Sequence, residues 1–465
     1  MNKEYSDLGD RVYRYSLMAI PVIFYLVFWL IDKAVWCADS ASYVEMHDCR
    51  EPLYPSLLWF FRLIFKVGKD ADPTDNISLL AMTFVQSMLA AGAAYSIAAY
   101  LIKRFKPKKY IGYIILAIPM GVSLINRFVA ARSAMYSNSI LTEGLTISIY
   151  LLAVRYMYEY LEEGSLKSLV LATDFVIIGV LTRKQMFVLA VLLVIAIIFS
   201  HIKRKIPKKM IKPIIIVLFC IVSIDLLMDC AYNKMVHGVF TMHSEDNRFV
   251  TTMAIYTSER EYVEYIESEF KELFLKIYDE CDENGWLMHD SPKGWFDEVN
   301  HFSDNYDYIQ LNTMEVILLD AVQHMQSARF TDDMTESMKM DVIRASFNKS
   351  LLPHEKARLF KVFTNNVLAG FADTVVKRTR ILSVASIFIF AFYVLAMVMS
   401  MKATLFEAAD LGALVLLSIL GNVSLVSAVI FCQTRYTVYN MPLVYIALVI
   451  MISEYFRYKR KSKDV

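Results

Sequence analysis

The chain predicts an all-α polytopic membrane fold, with about ten transmembrane helices and a helical extracytoplasmic insert. Three observations carry that prediction. Hydrophobic residues make up 57% of its 465 residues against 20% charged, and mean hydropathy is +0.42, more apolar surface than a soluble core buries. Apolar stretches able to cross a hydrocarbon layer of roughly 30 Å recur at both ends of the chain. Between them, 232–380 is a different material, rich in acidic and aromatic residues. Net charge is +1, from 48 basic and 47 acidic residues, and gives no sign of a nucleic-acid partner.

In order, the predicted spans lie near 15–35, 77–101, 110–126, 139–158, 167–182, 185–201, 212–231, 381–401, 409–430 and 436–456. The stretch 167–201 is too long for one untilted helix, and Thr182-Arg183-Lys184-Gln185 divides it; one tilted helix is the competing reading. Charge bias supports the division. Lys3, Arg11 and Arg14 precede the first span, Lys103 to Lys109 follow the second, Lys203 to Lys212 follow the sixth, and Arg457 to Lys463 follow the last. All four clusters share one face only with ten spans. Both termini are then cytoplasmic in a multi-pass protein of the cell (plasma) membrane. The first loop, the loops near 127–138 and 182–185, and 232–380 face outward. No small-residue cleavage pattern follows the first apolar run, so it reads as a transmembrane helix and not as a secretory signal.

Three units follow: an N-terminal transmembrane module over 1–231, the insert over 232–380, and C-terminal helices with a basic tail over 381–465. Within the insert, Tyr262-Val263-Tyr265-Ile266-Phe270-Leu273-Phe274 and Met314-Val316-Ile317-Leu318-Ala321-Val322 have helical spacing. Asn284-Gly285, Ser291-Pro292 and Leu352-Pro353 punctuate it with turns. The insert would cap the outer mouth of the bundle, where it could bind an acceptor. Of six cysteines, Cys37 and Cys49 share the first outer loop and could pair under oxidising conditions. No CxxC or HExxH spacing exists, and His237, His243 and Asp246 form only a loose group, so no metal site is assigned.

Chemistry concentrates beyond the first span, at Asp39, Tyr43 and Arg50-Glu51-Pro52-Leu53-Tyr54-Pro55. A carboxylate at a cavity mouth can take a proton from a hydroxyl, and an arginine can hold a phosphate. Arg50, Arg127, Arg132, Arg183, Lys184 and Arg435 lie at outward span ends, where basic residues are usually depleted. As a set they read as a site for an anionic head group. The alternative is that each pairs with Glu51, Glu143 or a lipid phosphate. Glu143 begins an apolar helix, where its carboxylate either neutralises the helix N-terminus or orients an arginine or an acceptor group.

The ordered motifs ADSASYVEMHDCREPLYPSLLWFFRLIF, a second span bearing Gln86, SNSILTEGL, VLTRKQM and CQTRYTVYNMPL resemble bacterial GT-C glycosyltransferases of the dolichyl-phosphate-mannose protein mannosyltransferase type. The resemblance covers about 1–200 and 380–456. It places the family's first-loop catalytic aspartate at Asp39, its R-P-P-x-Y-P element at Arg50 to Pro55, its S-E element at Thr142-Glu143 and its T-R-P element at Thr182-Arg183-Lys184. Two departures are a single acidic residue at Asp39, where some members carry a pair, and lysine in place of proline after Arg183. The insert lies outside the resemblance.

What the resemblance implies is transfer of a sugar, with inversion, from a polyprenyl-phosphate donor to an extracytoplasmic glycan, lipid or protein acceptor, among membrane lipids. Asp39 would be the general base. Arg183, Arg435 and Arg132 would hold the phosphate with Arg50, Lys184 and Glu143 nearby, while Tyr43, Tyr54 and Tyr436 would pack on sugar or prenyl surface. No cofactor is required by the sequence, and a divalent metal ion stays open. Two other classes compete: a flippase or transporter for lipid-linked sugar, which would favour internal repeats not seen here, and a silent protein that only binds lipid-linked sugar.

Overall fold

The computed structural model describes residues 2–68, 76–129, 133–243, 247–331 and 334–462. The described residues are helical apart from loops and one isolated bridge between Val35 and Ser139. The first nine helices are α1 (Asn2–Asp32), α2 (Ser40–Val44), α3 (Leu53–Phe65), α4 (Ile77–Phe105), α5 (Lys109–Val129), α6 (Glu143–Glu163), α7 (Leu166–Thr182), α8 (Phe187–Lys203) and α9 (Ile211–Val236). Six follow in the insert: α10 (Asn247–Thr257), α11 (Lys271–Glu283), α12 (Trp295–Asp307), α13 (Glu315–His324), α14 (Glu336–Leu351) and α15 (Lys356–Val375). The chain closes with α16 (Arg380–Lys402), α17 (Phe406–Val429), α18 (Thr434–Thr437) and α19 (Met441–Lys461).

Each predicted span falls on a helix, with shifted ends. Seven stretches are long and apolar enough to cross a membrane: those in α1, α4, α16, α17 and α19, and those in which a 3-10 turn extends α8 to Lys184–Lys203 and α9 to Pro207–Val236. The other three fall short for stated reasons. The apolar part of α5 is short, α7 has 17 residues, and α6 carries Arg155, Glu159 and Glu162 among its apolar residues. Of these, α6 buries most of its length, so its neighbours shield what lipid would not tolerate. By contrast α16 leaves Ile381 81% and Phe388 70% exposed, and α9 leaves Phe219 70% exposed. Apolar faces of that extent need lipid around them, and the chain is a multi-pass membrane protein.

Local chemistry sets the helix ends. Asn76 caps α4 by accepting from the Ser78 and Leu79 amides, and Ser165 caps α7 through the Ser168 amide. Gly164, at φ +66°, closes α6 in the left-handed region. At Arg183 the backbone is extended, ending α7, and a 3-10 turn over Lys184–Met186 leads into α8. Residues 139–142 precede α6 without extending it, and 436–440 comprise the end of α18 and a turn before α19, so those two predicted starts move to Glu143 and Met441.

The insert has its own apolar core, built on Phe270, Phe274, Phe302 and Phe347. Its periodicity near 262–270 forms two 3-10 segments, Arg260–Tyr265 and Ser268–Phe270, and an α-helix only from Lys271. A π-helical turn over Tyr308–Met314 joins α12 to α13. Phe431, from the linker between α17 and α18, inserts into this core with its ring centroid 5.0 Å from that of Tyr306. The insert is thereby fastened to the segment that carries Arg435.

Candidate active site

Asp39 owes its position to a staple between the first loop and the segment before α6. The Val35 amide donates to Asn138 O at 2.8 Å and the Ile140 amide donates back to Val35 O at 2.9 Å. Ser40 Oγ accepts from the Cys37 amide at 2.7 Å and donates to Ile140 O at 2.9 Å. Asp39 sits between these anchors at the N-terminus of α2.

Its carboxylate meets two arginines. Arg435 Nη2 approaches Oδ2 at 2.6 Å and Arg50 Nη2 approaches Oδ1 at 3.4 Å. Arg50 also donates to Ser42 Oγ at 2.8 Å and lies over the Tyr43 ring, 4.5 Å from its centroid. Glu143, fully buried, holds the next pair: its Oε1 accepts from Arg183 Nη1 and Arg435 Nε, both at 2.5 Å. Arg183 Nη1 further contacts Tyr439 OH at 3.3 Å, and its guanidinium lies 5.1 Å from the Tyr436 ring centroid. Three guanidiniums against two carboxylates leave one net positive charge. Burial pushes the Asp39 carboxyl up, but Arg435 and Arg50 outweigh it and hold the group below the ordinary carboxylate range. It is an ionised carboxylate at neutral pH.

Through Asp39 and Arg435 this network reaches a cavity of about 730 Å³, in the range of small-molecule sites, while Arg50, Glu143 and Arg183 stand behind those two. Asp39 and Arg435 line it with Tyr136 and Gln433; the insert contributes Phe296, Asn300, Ser303 and Asp307, and Asp373, Lys377 and Arg378 lie where α15 gives way to α16.

The predicted residues thus divide. Asp39, Arg50, Glu143, Arg183, Arg435, Tyr43 and Tyr436 come together. Tyr54 is buried behind Tyr43, ring centroids 5.1 Å apart, and donates to Gln86 Oε1 at 2.9 Å; Gln86 Nε2 in turn donates to Ser137 O and Ser139 O. It supports the wall without reaching the cavity. Lys184 turns away: its Nζ binds Asp225 at 2.6 Å and Asp229 at 3.3 Å on α9, while its amide donates to Glu51 at 2.8 Å. Arg127 pairs with Asp32 at 2.5 Å. Arg132 and Asp246 lie outside the described residues. Of the loose histidine group, His243 binds Asp229 at 2.6 Å, and His237 packs edge-on against Tyr232. Cys37 and Cys49 are not joined by a disulfide. Asp48 accepts from Thr335 Oγ1 at 3.2 Å and Ser337 Oγ at 3.3 Å, although Arg50 is near it in sequence. Among the described residues, the one cluster spaced to hold a metal ion is Asp282, His289 and Asp290, exposed on the insert away from this cavity.

Tyr439, Asp373, Lys377 and Arg378 escape sequence reasoning. Tyr439 follows Arg435 by one helical turn, which is the only local signal it offers. The other three sit at the end of the insert, where charged residues are ordinary.

No family model matches the chain, and no curated protein matches it in sequence. Among solved structures it is similar to ArnT from Cupriavidus metallidurans bound to undecaprenyl phosphate, at 12% identity and a TM-score of 0.32, covering 96% of this chain and 78% of that one. The apo state of the same ArnT gives 9% identity and a TM-score of 0.31, with coverage of 94% and 76%. A likeness that distant leaves the reading of the site to the chain's own geometry.

Proposed function

We propose that the chain is a membrane glycosyltransferase that moves a sugar from a polyprenyl-phosphate donor to an acceptor hydroxyl at the outer face of the membrane. One observation carries the reading: an ionised carboxylate and three guanidiniums form a single network that meets, through Asp39 and Arg435, a cavity lined by membrane helices and the insert. In this reading the acceptor hydroxyl gives its proton to Asp39 as its oxygen attacks the anomeric carbon. The bond from that carbon to the phosphate oxygen breaks on the opposite side, and the electron pair leaves with the phosphate. Attack and departure on opposite faces invert the configuration.

The charges suit that course. A donor phosphodiester carries one negative charge, matching the one left over in the network, and the departing phosphate gains charge beside Arg435 and Arg183. Arg435 joins the two halves because it binds both Asp39 and Glu143. A phosphate that draws Arg435 away from Asp39 raises the proton affinity of that carboxylate, so the base strengthens when the donor is seated.

The test is Asp39→Asn, assayed by mass spectrometry of cell-envelope glycans from cells lacking the protein and complemented with either form. Asparagine keeps the size and polarity of the side chain and cannot take the proton. The product formed by the wild type should fall by about 10²–10⁴-fold at equal expression and with lipid-phosphate binding retained. Transfer at the wild-type rate removes Asp39 as base. An envelope unchanged by deletion of the protein removes the transferase reading and leaves a silent binder of lipid-linked sugar.

A further inference from the structure

The second charged cluster of the cavity has no part in the chemistry above. Arg378 is about nine-tenths buried, at 10% side-chain exposure, yet its Nη1 has no hydrogen-bond partner among the described residues. Asp373 is buried as well, and its Oδ2 is likewise without one. The two groups approach only to 3.8 Å, Nε to Oδ2, too far for a hydrogen bond. Oδ1 of Asp373 is occupied: it accepts from the Arg378 amide and from Thr434 Oγ1, both at 3.2 Å. Lys377 stands exposed beside them on the same cavity. A guanidinium and a carboxylate that are buried, adjacent and each left with an open valence bear a desolvation cost that a ligand would relieve.

We propose that Arg378 and Lys377, with Asp373 between α15 and α16, form a subsite for an acidic sugar of the acceptor. The cations read its phosphate or carboxylate, and Asp373 Oδ2 takes a neighbouring hydroxyl. This rests on the glycosyl-transfer reading of the cavity. The acceptor is favoured over the donor on charge and position. The donor's single negative charge is already met by the Arg50, Arg183 and Arg435 network, whereas Arg378 shares the cavity lining with Asn300 and Ser303 of the insert, whose amide and hydroxyl suit sugar hydroxyls. Burial pushes the Asp373 carboxyl up to about 6, so near neutral pH it can accept from a sugar hydroxyl or, when protonated, donate to one.

The experiment is equilibrium dialysis of the full chain in lipid nanodiscs against three labelled probes: glucose 6-phosphate, glucuronate and undecaprenyl phosphate. Arg378→Gln and the exposed Lys377→Gln should each weaken one or both sugar acids, Arg378→Gln by about 10-fold or more, with Arg378→Lys restoring part of the loss. Neither should change binding of undecaprenyl phosphate. Loss confined to glucose 6-phosphate identifies a phosphorylated acceptor, and loss confined to glucuronate a carboxylated one. Sugar-acid binding unchanged in both variants overturns the subsite. Equal weakening of undecaprenyl phosphate by Arg378→Gln overturns it too, by assigning Arg378 to the donor. Arg435→Gln separates the two readings: undecaprenyl phosphate binding that survives this change sinks the donor site while leaving the acid subsite standing.

Discussion

Glu143 is the point where the network is most exposed to perturbation. A single oxygen accepts from Arg183 Nη1 and Arg435 Nε, each at 2.5 Å, so the two donor nitrogens lie within roughly 5 Å of each other. With Glu143→Gln the bridging charge is gone and two guanidiniums face one another. At an effective dielectric constant of about 20, their repulsion at that separation is on the order of 3 kcal/mol. Loss of one partner from a buried ion pair has a similar cost, about 3–5 kcal/mol. Spread over an unfolding entropy of about 2 cal/mol/K per residue, that lowers the melting temperature by roughly 3–5 °C. The assay is intrinsic-fluorescence melting of the chain in nanodiscs, with and without undecaprenyl phosphate. Because a lipid phosphate returns a negative charge to the same place, it should stabilise Glu143→Gln by more than it stabilises the wild type. Asp279→Asn is the control, since its partner Arg260 is on the exposed surface, where solvent screens the pair, and the change should leave the melting temperature close to that of the wild type. A Glu143→Gln protein that melts with the wild type, and gains no more from the lipid, refutes the argument that this carboxylate holds the two arginines together.

Two further outcomes are expected. If the basic clusters set orientation, a cysteine at the exposed Asp304 should react with an impermeant thiol reagent added to intact cells and one at Lys208 should not; labelling at Lys208 alone reverses the topology. In the insert, burial pushes the Glu355 carboxyl up to about 8, against an unfolded value near 4.5, so the folded chain holds a proton there that the unfolded chain has lost. That contribution is fully present below pH 4.5 and is lost as pH rises through about 8. Glu355→Gln should therefore flatten the pH dependence of stability across that window, and a variant whose melting still falls as steeply as the wild type over that range assigns the dependence to another group.

The helices were largely legible because lipid demands a long apolar run from each, and the break at Arg183-Lys184 was legible because two charges interrupt such a run. The convergence of Asp39, Arg50, Glu143, Arg183 and Arg435 could be read for a related reason: each is a charge at the end of an apolar helix, where an unpaired charge is costly. Side-chain direction was not legible. Lys184 follows Arg183 immediately, but the 3-10 turn points successive residues about a third of a revolution apart, and Asp225 and Asp229 wait on the other side. Asp48 has a neighbouring cation at Arg50 and takes the α14 hydroxyls instead, because Asp39 and Ser42 already hold that guanidinium. Residues 262–270 show helical periodicity, and a spacing of three or four apolar residues does not distinguish an α-helix from consecutive 3-10 turns.

The four-residue α18 joins the insert to the network. Arg435 sits on it, tied on the membrane side to Glu143 and toward the first loop to Asp39. The preceding residue, Thr434, donates to Asp373 of α15, and Phe431 is buried in the insert's apolar core. On the other flank, Gln185 Nε2 and Asn422 Nδ2 both donate to Tyr436 O. A helix this short has almost no internal hydrogen bonding to hold its shape, so its placement is the resultant of these outside ties. The Thr434 hydrogen bond to Asp373 is one of the ties that place Arg435 2.6 Å from Asp39. Through Thr434 and Phe431 the insert thus supplies two of the contacts that position the short helix carrying Arg435.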